Sequence, residues 1–137
     1  NLIIVDLGTA TTLCAVGKDR SYYGGVILPG LKMSMQALES GTSKLGSVEI
    51  TRKDVCLGRT MASSIQSGLY FGHLGALREI MHRIQQEEFA GQRPKVIATG
   101  GFAGLFENAG VFDLIVQDLV LRGLLAVLEL NGTKRSG

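Results

Sequence analysis

Three strand-type runs crowd the start of the chain, with no room for a helix between them. Leu2–Asp6 is apolar up to its aspartate, Thr11–Val16 is rich in Thr, Leu and Val, and Tyr22–Leu28 reads YYGGVIL. The first gap holds Leu7-Gly8-Thr9 and suits a tight turn, while the second, Gly17–Ser21 (GKDRS), is polar turn chemistry. Strands this close pair antiparallel, because a parallel crossover needs about a dozen residues or more. The chain therefore opens on a meander. A doubly wound dinucleotide fold is excluded, since its first strand leads into a crossover helix.

After Pro29-Gly30 the pattern changes. Leu31–Ser40 is predicted to be a helix with Met33, Ala37 and Leu38 turned inward. Gly41–Gly58 is polar and glycine-spotted apart from DVCLG. From about Thr60 to Glu88, Ile65, Leu69, Leu77, Ile80, Met81 and Ile84 recur at three- and four-residue spacing, which predicts a long helix. Gly68, Gly72 and Gly75 interrupt it, each costing a helix about 1 kcal/mol against alanine. Together they suggest close packing against another backbone, and Gly68-x-x-x-Gly72 suggests a dimer seam. PKVIATGG reads as a short buried strand, FAGLFENAG as a short helix closed by Gly110, and FDLIV as another buried strand. Asp118 is expected to cap a last helix, LVLRGLLAVLEL, that stops at Asn131-Gly132. A three-stranded antiparallel meander followed by alternating helices and strands makes an α/β domain with a mixed sheet. Its element order is that of the ribonuclease-H-like fold, which also builds each half of the actin-like ATPases and sugar kinases.

The 137 residues suffice for one domain with a sizeable core, expected over 1–132, with TKRSG at 133–137 a disordered tail. The opening directly on a buried-type strand suggests a piece whose beginning is absent. With 45% hydrophobic and 19% charged residues the chain reads as globular. A net charge of +2 with scattered basic residues argues against a nucleic-acid partner. Cys14 and Cys56 lie in apolar runs and read as reduced core residues of a cytoplasmic protein. Nothing approaches the ~18 apolar residues of a membrane span, and no signal peptide precedes the first strand. Asn131-Gly132-Thr133 matches a glycosylation acceptor but reads as a helix end.

Two stretches could carry chemistry. In VDLGTATT, Asp6 stands where a strand ends, Gly8 lets backbone N–H groups approach a ligand, and Thr9, Thr11 and Thr12 supply hydroxyls. Such an aspartate can hold a metal ion or its hydration shell near phosphates. The plain alternative is a hairpin in which Asp6 caps the turn and the threonines favour strand. In ATGG, Ala98–Gly101, a strand ending in glycines leaves free amides and room for a flat ring; the alternative is a tight strand-to-helix turn. Both lie at the carboxyl ends of strands, where open α/β sheets place ligands. SGTSKLGS at Ser40–Ser47 lacks the phosphate-loop register. His73 and His82, on the long helix without a nucleophile or metal cluster nearby, read as packing or surface residues.

DLGTATT, YYGGVILPGLKMSMQAL, SIQSGLYFG and KVIATGGFAGL, in this order and at these separations, resemble the second half of the type III pantothenate kinases, the Bvg accessory factor-like family. The resemblance implies ATP-dependent phosphorylation of pantothenate, the entry to coenzyme A synthesis, by a cytoplasmic homodimer. It implies Asp6 as ligand of a monovalent cation (potassium or ammonium), and magnesium accompanying the nucleotide. Gly8, Thr9, Thr11 and Thr12 would form the second phosphate motif, and Thr99, Gly100 and Gly101 the adenosine motif. Gly24 and Gly25, with Pro29-Gly30, would shape the substrate side. The family's first phosphate motif and its Gly-x-Asp-Arg motif, with the catalytic aspartate, would lie upstream in an amino-terminal domain, so no catalytic residue is expected here. The family's Gly-x-Asn-Thr before the long helix aligns with Thr60 and Met61, and a thioether is a weak acceptor. The pantothenate contact is then lost or shifts to Thr60. Two further readings are an accessory or regulatory relative without catalysis, and a related kinase for another small alcohol.

Overall fold

The computed structural model describes residues 1–41 and 46–132. The phosphate-loop look-alike falls partly, and the expected tail wholly, outside the described residues. Strands β1 (Leu2–Leu7), β2 (Ala10–Val16) and β3 (Tyr22–Pro29) form the meander, and helix α1 is Leu31–Gly41. Helix α2 (Met61–Glu88) precedes β4 (Lys95–Thr99), a 3₁₀ segment (Ala103–Ala109), β5 (Leu114–Ile115) and helix α3 (Leu119–Gly132). The sheet has five strands in the order β3-β2-β1-β4-β5; β1 runs antiparallel to β2 and parallel to β4. The expected mixed α/β sheet is thus observed.

Alternation along the strands decides which sheet face is covered. Ile3, Val5 and Leu7 of β1, Leu13 and Ala15 of β2, and Val96 and Ala98 of β4 are buried on one face. Ile65, Leu69, Leu74, Leu77 and Ile84 of α2 complete that core, with Leu31 and Met35 of α1 and Phe106 of the 3₁₀ segment. Ile4, Asp6, Thr12, Cys14 and Ile97 share the opposite face and are only half-buried. The irregular segment before α2 is laced to it: Ser67 Oγ donates to the Cys56 carbonyl and Gln66 Nε2 to that of Glu49 at 3.0 Å. Thr60 caps α2, its Oγ1 accepting from Ser63 N while Ser63 Oγ accepts from Thr60 N.

Four expectations need correction. Leu31 and Met35 are the inward residues of α1, whereas Met33, Ala37 and Leu38 are exposed. LKMSMQAL carries two apolar stripes, and the entry of the helix at Gly30 selects between them. A Cβ on Gly30 would lie 2.2 Å from the Thr9 carbonyl oxygen, so glycine alone lets α1 start against the β1–β2 turn. The glycines of α2 show no close backbone: added Cβ atoms at Gly68, Gly72 and Gly75 would meet nothing within 4 Å. FDLIV is no buried strand, for β5 holds only Leu114 and Ile115 at the sheet edge, and Leu114 is 47% exposed. Asp113 is drawn instead to the start of β4, its carboxylate accepting from Val96 N and Arg93 Nη2, each at 2.7 Å. Cys56 is exposed and Cys14 half-buried, so neither is a core residue; both are free thiols.

Helix α3 is apolar on nearly every side yet buries nothing. Val120, Leu121, Leu124, Leu125, Val127, Leu128 and Leu130 are all more than half exposed. An all-round apolar helix belongs in an interior. No helix among the described residues is long and apolar enough to cross a membrane.

Gly30→Ala should destabilise the chain by about 1–3 kcal/mol through overpacking, whereas Gly75→Ala should stabilise it by up to about 1 kcal/mol through helix propensity. Urea denaturation of both variants checks the opposite signs, and a loss of stability in Gly75→Ala would contradict the open surroundings of that glycine.

Candidate functional site

Parallel pairing of β1 with β4 sets Asp6 beside Thr99, so the turns that follow both strands leave the same edge of the sheet. The first turn, Gly8-Thr9, is closed by Gly8 N donating to the Ala10 carbonyl at 3.1 Å. Phe102 N, just past Gly101, donates to the Leu7 carbonyl at 3.1 Å and ties the second turn to the end of β1. Gly100 has φ +90°, and a Cβ there would meet Asp6 Oδ1 at 2.5 Å and Leu7 N at 2.7 Å. Only glycine fits. A Cβ on Gly8 would lie 3.3 Å from the same Asp6 oxygen, so this carboxylate stands between the two turns.

Leu7, Gly8, Thr9, Gly101 and Phe102 line a cleft of about 180 Å³, closed on its far side by Lys32, Met33 and Gln36 of α1. Thr9 is exposed, and neither its N–H nor that of Gly101 has a hydrogen-bond acceptor among the described residues. Open amides at two adjoining turns, with a lysine across the cleft, suit the oxygens of a phosphate chain. The sequence pattern does not single out Lys32 and Gln36. Their signal is spacing: four residues apart on a helix that starts against Thr9, they share one face.

The remaining candidates divide by place. Thr12 pairs with Asp6 across the hairpin and shares its half-buried face. Thr11 is 1% exposed, with Oγ1 2.8 Å from His73 Nε2, so it supports the turn from beneath instead of facing the cleft. Thr99 is 3% exposed, and its hydroxyl donates to the Gln117 carbonyl at 3.4 Å. Gly24 and Gly25 pair with Ala15 and Cys14, whereas Ala10, beside the Gly8-Thr9 turn, pairs with Pro29. They stand about 17–20 Å along the strands from Thr9 at ~3.4 Å per residue. Thr60 spends its hydroxyl on the helix cap. Met61 lines an apolar groove of about 820 Å³ between α1 and α2, with Met33, Ala37, Ile65, Gly68 and Leu69 among its walls. Met33 belongs to both hollows and makes the groove adjoin the cleft.

Asp6 stands without a metal-binding cluster, as no group of three His, Cys, Asp or Glu side chains converges among the described residues. His82 is exposed. His73 is 7% exposed, and burial holds its pKa below the usual 6.5 by disfavouring the charged ring. The unfolded chain therefore binds the proton more readily. The stability that neutral His73 contributes is complete above pH 6.5 and is lost as pH falls through 6.5 toward its lower folded value. Denaturation at about pH 8 and about pH 5 should show a drop that His73→Gln reduces; an unchanged drop would remove His73 from the acid response.

The sequence profile of the family described as Type III pantothenate kinase matches residues 1–83. Type III pantothenate kinase 1 of Francisella tularensis subsp. holarctica (strain OSU18) is 49% identical over 131 residues, 96% of this chain and 51% of that protein. The type III pantothenate kinase of Legionella pneumophila (strain Corby) is 48% identical over 131 residues, again 96% of this chain and 51% of that protein. The chain thus spans about half the length of these curated relatives. Among solved structures, a Campylobacter jejuni protein described within a Baf family of transcriptional activators superposes with a TM-score of 0.65. It is 20% identical, the match covering 96% of this chain and 58% of that one, which speaks for the fold alone. With its profile match over more than half the chain and close relatives along nearly all of it, the protein belongs to the type III pantothenate kinase family.

Proposed function

We propose that this chain is the carboxyl-terminal half of a cytoplasmic enzyme that transfers the γ-phosphoryl group of ATP to the hydroxyl of pantothenate. The observation that carries the reading is the joint edge of β1 and β4, where two glycine turns flank one carboxylate beneath a cleft with a lysine across it. The strand order, with β1 antiparallel to β2 and parallel to β4, supports a ribonuclease-H-like domain of the actin-like ATPase kind.

In this reading Thr9 offers its backbone amide and hydroxyl to the phosphates, Gly8 leaves room beside it for their approach, and Lys32 offsets their charge. Thr12 lines the approach on the face of Asp6. Gly100 and Gly101 give the adenosine a flat backbone, while buried Thr11 and Thr99 hold the two turns in shape. Asp6 would hold potassium or ammonium, and magnesium bound with the nucleotide would neutralise charge on the transferring group. Phosphoryl transfer depends on positioning and electrostatic clamping, and the base and the first phosphate motif belong to the amino-terminal half. Gly24 and Gly25 then act on the substrate side only through the course of β3; a Cβ on Gly25 would meet the Leu13 carbonyl oxygen at 2.7 Å.

The apolar groove fits a second copy of the chain. Met33, Ala37 and Met61 on its walls are exposed, Gly68 faces it without a Cβ, and it adjoins the cleft through Met33. A partner seated there would bring its own residues beside Thr60 and Met61 and complete a pantothenate pocket. The uncovered apolar surface of α3 fits the amino-terminal half of the same protein.

The full-length protein should phosphorylate pantothenate with ATP, faster with potassium present, and this chain alone should not. Consumption of only another alcohol, or no transfer at all, would sink the reading. Met33→Glu should convert the full-length dimer to monomer in sedimentation velocity; an unchanged dimer would move the interface elsewhere.

A further inference from the structure

One side chain of α2, His73, touches both the strand at the foot of the first glycine turn and the 3₁₀ segment that follows the second. Thr11 is the residue of β2 that pairs with Leu7, at the foot of the first turn. Its hydroxyl lies 2.8 Å from His73 Nε2. Phe106, in the 3₁₀ segment that follows the second turn, stacks on the His73 ring with centroids 6.1 Å apart and planes 22° apart. Tyr70, one turn earlier on α2, also stacks on Phe106, with centroids 5.2 Å apart and planes 10° apart. Thr11 and Phe106 are 1% and 0% exposed, so the bond and the stack both lie in the interior. A buried hydroxyl left without its partner is costly, and packed interiors shift in discrete steps instead of yielding smoothly.

We infer that His73 is a positioning residue that fixes the spacing of the two glycine turns, and thereby how tightly the protein holds the phosphates and the adenosine of one nucleotide. The inference rests on the nucleotide-binding part of the proposed function. His73 touches no ligand in this account. It acts through Thr11 on the phosphate turn and through Phe106 on the adenosine turn, both referred to the rigid body of α2. His73 also borders a hollow beside Gly68 and Gly72, next to the groove offered to a second copy.

Three variants of the full-length protein test this. His73→Leu keeps volume and removes the hydrogen bond, His73→Gln keeps a polar group able to reach Thr11, and Thr11→Val removes the other partner. His73→Leu should raise the KM for ATP about tenfold, with the KM for pantothenate within about twofold, and His73→Gln should recover most of the loss. Thr11→Val should act in the same direction, and the double variant should be no worse than the poorer single one. A lowered melting temperature with an unchanged KM for ATP, or additive effects in the double variant, would overturn the positioning role. Thr11→Val carries the test should His73→Leu fail to fold. Calorimetric titration with ATP separates this from the kinase reading. Wild type that binds ATP without phosphorylating pantothenate sinks only the substrate assignment, and weaker ATP binding by the variants still supports the role of His73. Wild type that does not bind ATP overturns both.

Discussion

The parallel pairing of β1 with β4 governs the carboxyl edge of the sheet. It sets Asp6 level with Thr99, so that Gly8 and Gly100 turn away from the sheet side by side. Gly100 can then lie on the Leu7 backbone and against the Asp6 carboxylate, a contact that neither its φ of +90° nor the space would allow any other residue. Antiparallel pairing of β1 with β2 supplies the first turn, and the return of the chain through α2 supplies the second. Two glycine turns, with open amides at Thr9 and Gly101, are thereby set side by side at one edge of the sheet.

The same edge explains the sequence of glycines and its asymmetry. Gly30 and Gly100 are fixed by backbone they touch, whereas a Cβ on Gly68, Gly72 or Gly75 would meet nothing within 4 Å among the described residues. Glycines that cost a helix propensity without an internal return point outward, toward a surface that a second copy can cover. Helix α3 poses the same question more strongly, since none of its residues is buried. Among the described residues, exposed or partly exposed ion pairs such as Arg83 with Glu79 add about 0–1 kcal/mol each and do not offset that uncovered apolar surface.

Much of the architecture was legible because it rests on local signals. The closeness of the first three runs dictated the meander, and Ile65-to-Ile84 periodicity dictated α2. The turns at Gly8 and Gly100 were legible too, since glycine after an apolar strand has few other uses. What periodicity could not decide was which of two apolar stripes of α1 meets the core, because the choice is made by Gly30 against Thr9. FDLIV misled for a related reason: an apolar run marks a strand that wants cover, not whether a sheet edge receives it. Thr11 and Thr12 looked alike in DLGTATT, yet strand alternation sends one hydroxyl inward to His73 and leaves the other beside Asp6. Partners sixty residues apart in sequence leave no local trace.

The central claim is that the two glycine turns answer to one nucleotide. Amide hydrogen exchange of the full-length protein, with and without magnesium ATP, tests it most directly. The account predicts that protection rises together at Gly8–Ala10 and at Gly100–Phe102, while the distant Gly24–Gly25 stretch of β3 is unchanged. Protection at only one turn, or at neither while ATP binds, would contradict it.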